Sequence, residues 1–241
     1  MCGRFAFYSP GEAVVRLFGV SETPPMLPRY NLAPTQFVVA IRQLPDAAPA
    51  VSMLRWGLVP SWAKDRSIGN KLINARGETT HSKPSFRSAF RKQRCLILAD
   101  GFYEWRAEGS VRQPYYITLQ SGEPFAMAGL WESHDDGVGD APLNTCTIIT
   151  TEPNPMMSQL HRRMPVILPA AARDSWLDPS HQDIDALRSV LVPFAGDMTF
   201  RAVGREVNSP RNDGPELLLP ASANAQPGLL DELGAEPTEN K

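Results

Sequence analysis

The sequence predicts an α+β fold, a single β-rich domain of mixed or antiparallel sheet with flanking helices. Short runs of β-branched and aromatic residues recur along the chain, and the helical stretches between them follow no regular alternation. A regular alternation would instead have predicted a doubly wound parallel sheet. The length of 241 residues suits one domain with a substantial core.

The first helix is predicted directly after the N-terminal segment. Ser9 and Pro10 are typical of an N-cap and a first helical residue, and Glu12 completes a capping box. Gly19 is expected to end the helix, because glycine tolerates the left-handed conformation found there. The Pro-rich residues 21–36 that follow predict an irregular surface segment.

The remaining elements follow from apolar patterning. Strands are predicted at 36–42, 51–56, 95–105, 114–119, 125–131, 143–150, 164–168 and 198–203. Further helices are predicted near 81–92, 153–160, 170–177 and 183–191. We therefore expect one domain over residues 2–220. Residues 221–241 are acidic and rich in Ala, Pro, Glu and Asn, which predicts a disordered tail.

Composition narrows the class of protein. Hydrophobic residues make up 42% of the chain and charged residues 21%, which is ordinary for a soluble globular protein. We see neither a signal peptide nor an apolar run of about eighteen residues, so we expect a cytoplasmic protein without membrane contact. The net charge of −2 does not itself indicate nucleic-acid binding. A basic cluster between Lys83 and Arg94 has a solvated helix face as its simpler interpretation.

The three cysteines are too few and too scattered for a disulfide framework or a zinc site. Cys95 and Cys146 lie in apolar runs, which predicts that both pack in the core. We expect no metal and no cofactor.

Cys2 follows the initiator Met1, and aminopeptidases remove an initiator methionine that precedes a small side chain. The mature chain is therefore expected to begin with Cys2. Its α-amine, with a pKa of about 7.7–8.0, and its thiol, with a pKa of about 8.5, are then both partly nucleophilic near neutral pH. Such a residue can condense with an aldehyde through nitrogen and close a five-membered thiazolidine through sulfur. The alternative is that Cys2 merely follows the start codon.

Other polar residues occur where a core would be apolar. Glu104 lies among aromatic residues, a setting that raises a carboxyl pKa into the acid–base range. His161 lies near Arg163 at the start of an apolar strand. The alternative for Glu104 is that it points outward from an edge strand, and the alternative for His161 is a structural hydrogen bond. Asn31 and Asn74 would alternatively be ordinary turn residues.

Taken together, these motifs closely resemble the SRAP family, first named SOS response-associated peptidases and now known as abasic-site processing proteins. The resemblance runs from Cys2 to about Leu219. It is carried by seven segments, namely Met1–Phe5, Tyr30–Pro34, Trp56–Trp62, Ile73–Thr79, Gly101–Trp105, His161–Leu168 and Val207–Asp213.

The resemblance implies a β-rich fold with a positively charged groove for single-stranded DNA. It implies a Cys2 that cross-links covalently to the open-ring aldehyde of an abasic deoxyribose, with catalytic roles for Cys2, Asn74, Glu104 and His161. It also implies DNA contacts by Arg4, Arg76 and Arg163, and by Asn31, Pro34, Trp56, Trp62 and Thr150.

The expected partner is single-stranded DNA containing an abasic site, bound by a monomer, since the reaction needs one N-terminus. With this partner, the protein is expected to be nucleoid-associated if it is bacterial. Flanking bases are expected to stack on Trp56 or Trp62. The product would protect abasic sites in the DNA damage response. A Schiff-base intermediate also predicts AP-lyase activity by β-elimination, and the older family name predicts peptidase activity. Removal of Met1 is then either autoproteolytic or performed by the host aminopeptidase, and the sequence does not distinguish the two.

Three other functions remain open at this stage. Glutamine amidotransferases with an N-terminal nucleophile also begin Met-Cys-Gly, although their glutamine-holding motifs are not evident here. A peptidase using Cys2 and His161 lacks an obvious oxyanion hole. A non-covalent single-strand-binding module would bind DNA equally well with and without an abasic site.

Overall fold

The computed structural model describes residues 2–135, 137 and 141–221, so the predicted tail lies outside the described residues except for residue 221. The strands are β1 Phe5–Phe7, β2 Arg29–Leu32, β3 Phe37–Arg42, β4 Ala50–Trp56, β5 Asn74–Arg76, β6 Arg94–Ala99, β7 Gly101–Glu108, β8 Val111–Leu119, β9 Phe125–His134, β10 Leu143–Thr151, β11 Met164–Pro165 and β12 Met198–Ala202. The helices are α1 Gly11–Phe18, α2 Arg87–Lys92, α3 Ala170–Leu177 and α4 Ile184–Ser189, with short 3-10 helices at Arg66–Lys71, Met157–Gln159, Arg205–Asn208 and Pro215–Leu218.

Two sheets make up the domain. The first is antiparallel, in the order β12-β8-β7-β1-β2. The second runs β10-β4-β3-β6-β9, and β9 pairs back onto β10, which closes a small barrel. Strands β4 and β5 run parallel to β10, and the other described pairings in this sheet are antiparallel. The predicted α+β class is therefore confirmed.

Aromatic pairs join the two sheets. Phe5 of the first sheet meets Trp56 of the second with ring centroids 5.2 Å apart, and Phe102 meets Phe125 at 6.4 Å. Each such pair contributes about 0.5–1.5 kcal/mol beyond the area that it buries. The predicted core positions of Cys95 and Cys146 are confirmed, since both lie wholly buried in the same hydrophobic core.

Asp100 divides the predicted strand 95–105 into β6 and β7. The residue is 3% exposed, and its carboxylate accepts the backbone N–H groups of Tyr8 and Ser9. Because β6 lies in the barrel and β7 in the other sheet, the chain changes sheets at this residue.

The start of α1 differs from its prediction. The Ser9 hydroxyl donates to Asp100, so it is not available to cap the helix. Pro10 is the N-cap residue and makes no side-chain capping bond, so the predicted Ser9 cap is wrong. The predicted end at Gly19 is confirmed, with φ of 69° in the left-handed region.

Residues 21–36 are not irregular throughout, because β2 lies within them. The carboxylate of Asp213 accepts the N–H groups of Tyr30 and Asn31 and pairs with Arg29. This support comes from a segment more than 180 residues away in the chain.

Two predicted helices are shorter in the structure than in the prediction. The helix near 81–92 is reduced to α2, and the helix near 153–160 is reduced to a 3-10 turn.

Arg94 is a core residue rather than part of a basic surface. Its side chain is buried, and burial lowers the pKa of its guanidinium to about 10. The guanidinium links α2 to α3 and the loop beyond by donating to the carbonyls of Phe90, Arg91, Trp176, Asp178 and His181.

Within the described part of the chain, no helix is both long and apolar enough to cross a membrane.

Candidate functional site

Strand register brings Cys2 and Glu104 together. Strands β1 and β7 pair antiparallel, with Phe5 opposite Phe102. Continuing this register beyond β1 sets Glu104 opposite Gly3, one residue after Cys2. The N-terminal segment thus places Cys2 against β7, and no loop is needed to carry it there.

Electrostatics link Cys2, Glu104 and His161. Glu104 is 4% exposed, and burial raises the pKa of its carboxyl, an effect that the charge of His161 opposes. Burial also raises the pKa of the fully buried Cys2 thiol, and the neighbouring Glu104 charge raises it further. The Cys2 side chain is therefore a neutral thiol at neutral pH.

Asn74 reaches the same place from the barrel. Strand β5 runs parallel to β10 with Asn74 opposite Ile148. The Asn74 Nδ2 group donates to the backbone carbonyl of Cys2 at 2.8 Å. Its Oδ1 atom is buried and accepts no hydrogen bond from any residue that the structure describes. A carbonyl acceptor thus remains available beside Cys2.

A cleft of about 280 Å³ opens beside these groups, lined by Glu104, Trp105, Ala107, Arg112 and His161. The His161 ring is oriented by its own loop, since its Nδ1 atom accepts the N–H of the residue two positions later at 3.0 Å. The Trp105 Nε1 group donates to Asn208 Oδ1 at 2.7 Å, which fixes one wall of the cleft. Sequence reasoning missed Trp105 and Arg112, which the pairing of β7 with β8 brings to the cleft. Among the described residues, no cluster of three His, Cys, Asp or Glu side chains is suited to hold a metal ion.

Two of the predicted phosphate-binding arginines lie on the Asn74 side of the site. Arg76 is exposed and projects from the same side of β5 as Asn74, because the two are separated by one residue. The Arg163 guanidinium binds both carboxylate oxygens of Glu78, with Nη1–Oε1 at 2.5 Å and Nη2–Oε2 at 3.0 Å. It also donates to the Thr150 carbonyl at 2.6 Å. Arg163 holds the pKa of Glu78 below its usual range, so the pair is ionic at neutral pH.

Arg4 and Asn31 serve the fold in this structure. The Arg4 guanidinium donates to Asn31 Oδ1 and to the Val207 carbonyl, each at 2.8 Å. Asn31 is fully buried and donates to the carbonyls of Ser209 and Asn212. The predicted direct DNA contact of Asn31 therefore needs correction, because backbone carbonyls already surround its side chain.

The two tryptophans of one sequence motif have opposite environments. Trp56 is wholly buried and donates from Nε1 to the Ile73 carbonyl at 2.8 Å, so no base can stack on it and its predicted stacking role is wrong. Trp62 is 60% exposed. Of the other predicted groove residues, Pro34 is half-buried, and Thr150 is buried with its hydroxyl directed at a β5 carbonyl 3.4 Å away.

The chain is similar to a described protein family and to several known proteins. The sequence model of the SOS response associated peptidase (SRAP) family matches residues 1–210. The chain is 45% identical over 224 residues to abasic site processing protein YoqW of Bacillus subtilis (strain 168), covering 90% of this chain and 99% of that protein. It is 35% identical over 204 residues to abasic site processing protein HMCES of Gallus gallus, covering 75% of this chain and 60% of that protein. A crystal structure of a Bacteroides thetaiotaomicron protein matches with a TM-score of 0.81 at 27% identity, covering 91% of this chain and 100% of that one.

Proposed function

Because this chain belongs to the SOS response associated peptidase (SRAP) family, we propose that it processes abasic sites in single-stranded DNA through a covalent bond to Cys2. Two relatives similar to it over most of this chain carry the name abasic site processing protein. The observation that carries the proposal is that Cys2 is hydrogen-bonded to Asn74 and lies within the electrostatic influence of Glu104. Glu104 in turn lines one cleft together with His161, so a nucleophile, an amide, a carboxyl and an imidazole are linked.

Ring opening is the first step of the proposed reaction. An abasic deoxyribose is mostly a cyclic hemiacetal, and only its open form presents an aldehyde. Glu104 takes the proton from the C1′ hydroxyl and returns a proton to O4′ as the C1′–O4′ bond breaks. Its buried position suits this role, because the raised pKa brings the carboxyl closer to neutral pH.

Capture of the aldehyde follows removal of Met1. The free Cys2 amine adds to C1′, and loss of water gives an imine. The Cys2 sulfur then bonds to C1′ while the thiol proton passes to the imine nitrogen, which closes the thiazolidine. Both nucleophiles belong to one residue, so the second addition has a high effective molarity. The Asn74 Nδ2 bond to the Cys2 carbonyl supports this arrangement, and its free Oδ1 can accept a hydrogen bond from the Cys2 amine.

The imine also opens a competing route. It acidifies the C2′ protons, and removal of one by Glu104 or His161 would expel the 3′ phosphate and break the strand. Ring closure consumes the C=N bond that this β-elimination requires. The thiazolidine would therefore shield the abasic site from cleavage.

DNA binding would depend on phosphates rather than on base edges, since an abasic site has no base to read. Arg4, Arg76 and Arg163 are the proposed phosphate contacts. Affinity should consequently fall as salt rises and depend little on sequence. A strong preference for one sequence would contradict this interpretation.

A denaturing gel tests the covalent step. Protein with a Cys2 N-terminus verified by mass is incubated with a single-stranded oligonucleotide that carries one abasic site. We expect a slow band that survives boiling without borohydride and is absent for Cys2→Ala. Cys95→Ala, which removes a buried thiol of the barrel, is the matched control and should retain the band. A heat-stable band from Cys2→Ala would refute the proposal, and equal affinity for intact and abasic strands without any band would favour the non-covalent module.

A further inference from the structure

Trp62 lies on a segment, residues 57–62, that crosses the barrel surface after β4. Single exposed apolar side chains are common on protein surfaces, so an exposure of 60% carries little meaning alone. The informative feature is what holds the three residues that precede it. Each of them is bound by a different buried polar side chain of the barrel.

The first two of these contacts come from β10 and β9. Thr145 is wholly buried, and its hydroxyl oxygen accepts the N–H of Val59 at 2.9 Å. His134 is 1% exposed, and its Nδ1 atom lies 3.2 Å from the carbonyl oxygen of Pro60, to which it donates. Consecutive backbone groups of the segment are thus fixed by groups that are out of contact with solvent.

The third contact involves a carboxyl group. Glu132 is 4% exposed and accepts both the backbone N–H and the hydroxyl of Ser61. Burial raises the pKa of Glu132, and the two Ser61 bonds oppose that rise by favouring the charged form. The next residue along the chain is Trp62.

The strand pairing explains why these three side chains act together. Glu132 and His134 are two residues apart on β9, and Thr145 lies opposite Glu132 on β10, so all three project from the same face of the sheet. Three buried polar groups in one patch would destabilise the barrel if they had no partners. Their partners are backbone and side-chain groups of residues 59–61. These residues directly precede Trp62 and its exposed indole.

We propose that Glu132, His134 and Thr145 are positioning residues that fix Trp62 as a stacking platform for a base beside the abasic nucleotide. This inference rests on the proposed function, since it takes single-stranded DNA as the ligand. Because the abasic nucleotide offers no base, stacking energy has to come from its neighbours. An indole carried by a backbone that is already fixed loses less conformational entropy when a base stacks on it.

A double-mutant cycle tests the inference. Affinity for a fluorescent single strand without an abasic site is measured by anisotropy, so that no cross-link forms. Trp62→Ala should raise Kd roughly 5- to 150-fold and remove the quenching of tryptophan fluorescence that stacking produces. Glu132→Gln should raise Kd about 2- to 12-fold when Trp62 is present and leave Kd unchanged in the Trp62→Ala background.

Asp100→Asn is the matched control, because Asp100 is also buried and also accepts the N–H and hydroxyl of one serine, Ser9. This variant should lower Tm comparably to Glu132→Gln without raising Kd. Equal effects of Glu132→Gln with and without Trp62, or an equal loss of affinity in Asp100→Asn, would overturn the inference. A wild-type protein that binds single strands but never cross-links would refute the proposed function instead, and the cycle would still decide the role of Glu132.

Discussion

Glu78 forms an ion pair with Arg163, the side chain that the proposed function assigns to a phosphate of the DNA. The Arg163 side chain is 15% exposed and that of Glu78 is 47% exposed, so the pair lies at the surface. A phosphate that binds Arg163 has to displace the carboxylate and also meets its negative charge. Glu78→Gln removes that charge and retains nearly the same shape.

The magnitude follows from the exposure of the pair. Ion pairs at exposed sites contribute about 0.2–1 kcal/mol. Relieving this competition should therefore lower Kd for single-stranded DNA roughly 1.5- to 5-fold. Arg163 should stay oriented in the variant, because its Nη2 group still donates to the Thr150 carbonyl at 2.6 Å. Since Arg163 lowers the pKa of Glu78, the carboxylate is ionised throughout the neutral range and the effect should be constant there.

Anisotropy titrations of an intact single strand at two salt concentrations provide the assay. Asp185→Asn is the matched control, since Asp185 forms an exposed pair with Arg188 at 3.3 Å on α4 and the change also removes one negative charge. We expect tighter binding for Glu78→Gln only, with the difference shrinking at high salt. Equal tightening in both variants would mean that net charge alone is responsible. Unchanged or weaker binding in Glu78→Gln would refute the competition between carboxylate and phosphate.

Three further outcomes are expected. Because burial raises the pKa of Glu104, its ionised form is lost as pH falls through a midpoint above the ordinary carboxyl value, so the cross-linking rate should show an acidic limb that is absent in Glu104→Gln; a limb that survives would contradict its role as a base. Asn74→Ala should slow cross-linking in a quenched time course while Kd for an intact strand remains unchanged, and a change in Kd alone would contradict its assignment beside Cys2. Arg94→Met leaves five backbone carbonyls without their donor and should lower the free energy of unfolding in urea by about 2–4 kcal/mol, whereas a loss below about 0.5 kcal/mol would show that water replaces the guanidinium.

The barrel strands could be predicted because each is a local run of apolar β-forming residues. Strands β2 and β5 could not, since they are short and contain Asn and Arg. They are stabilised by distant groups, namely the Asp213 carboxylate for β2 and pairing with β10 for β5. Local patterning carries no information about such partners.

The candidate site shows the same division. Cys2 could be singled out because its chemistry depends on position and residue type, both of which are visible in the sequence. Trp56 and Trp62 could not be distinguished, because they flank one motif and differ only in tertiary environment. Trp56 ends β4 and meets Phe5 between the sheets, whereas Trp62 lies on the segment beyond. Glu78 and Glu132 escaped notice because their significance depends on partners that the fold supplies.

Burial acts in opposite directions on the two nucleophiles of the proposed N-terminal Cys2. It raises the pKa of the thiol and so suppresses the thiolate. The same loss of hydration disfavours an ammonium ion, whereas an ionised Glu104 favours it, so transfer of one amine proton to the Glu104 carboxylate would leave the amine neutral and nucleophilic. The amine is therefore suited to attack the aldehyde first. The thiol is suited to add second, when the imine nitrogen beside it can take its proton. A site that buries Cys2 thus favours the order of steps that ends in a thiazolidine, because an exposed thiolate would compete for the aldehyde before the imine had formed.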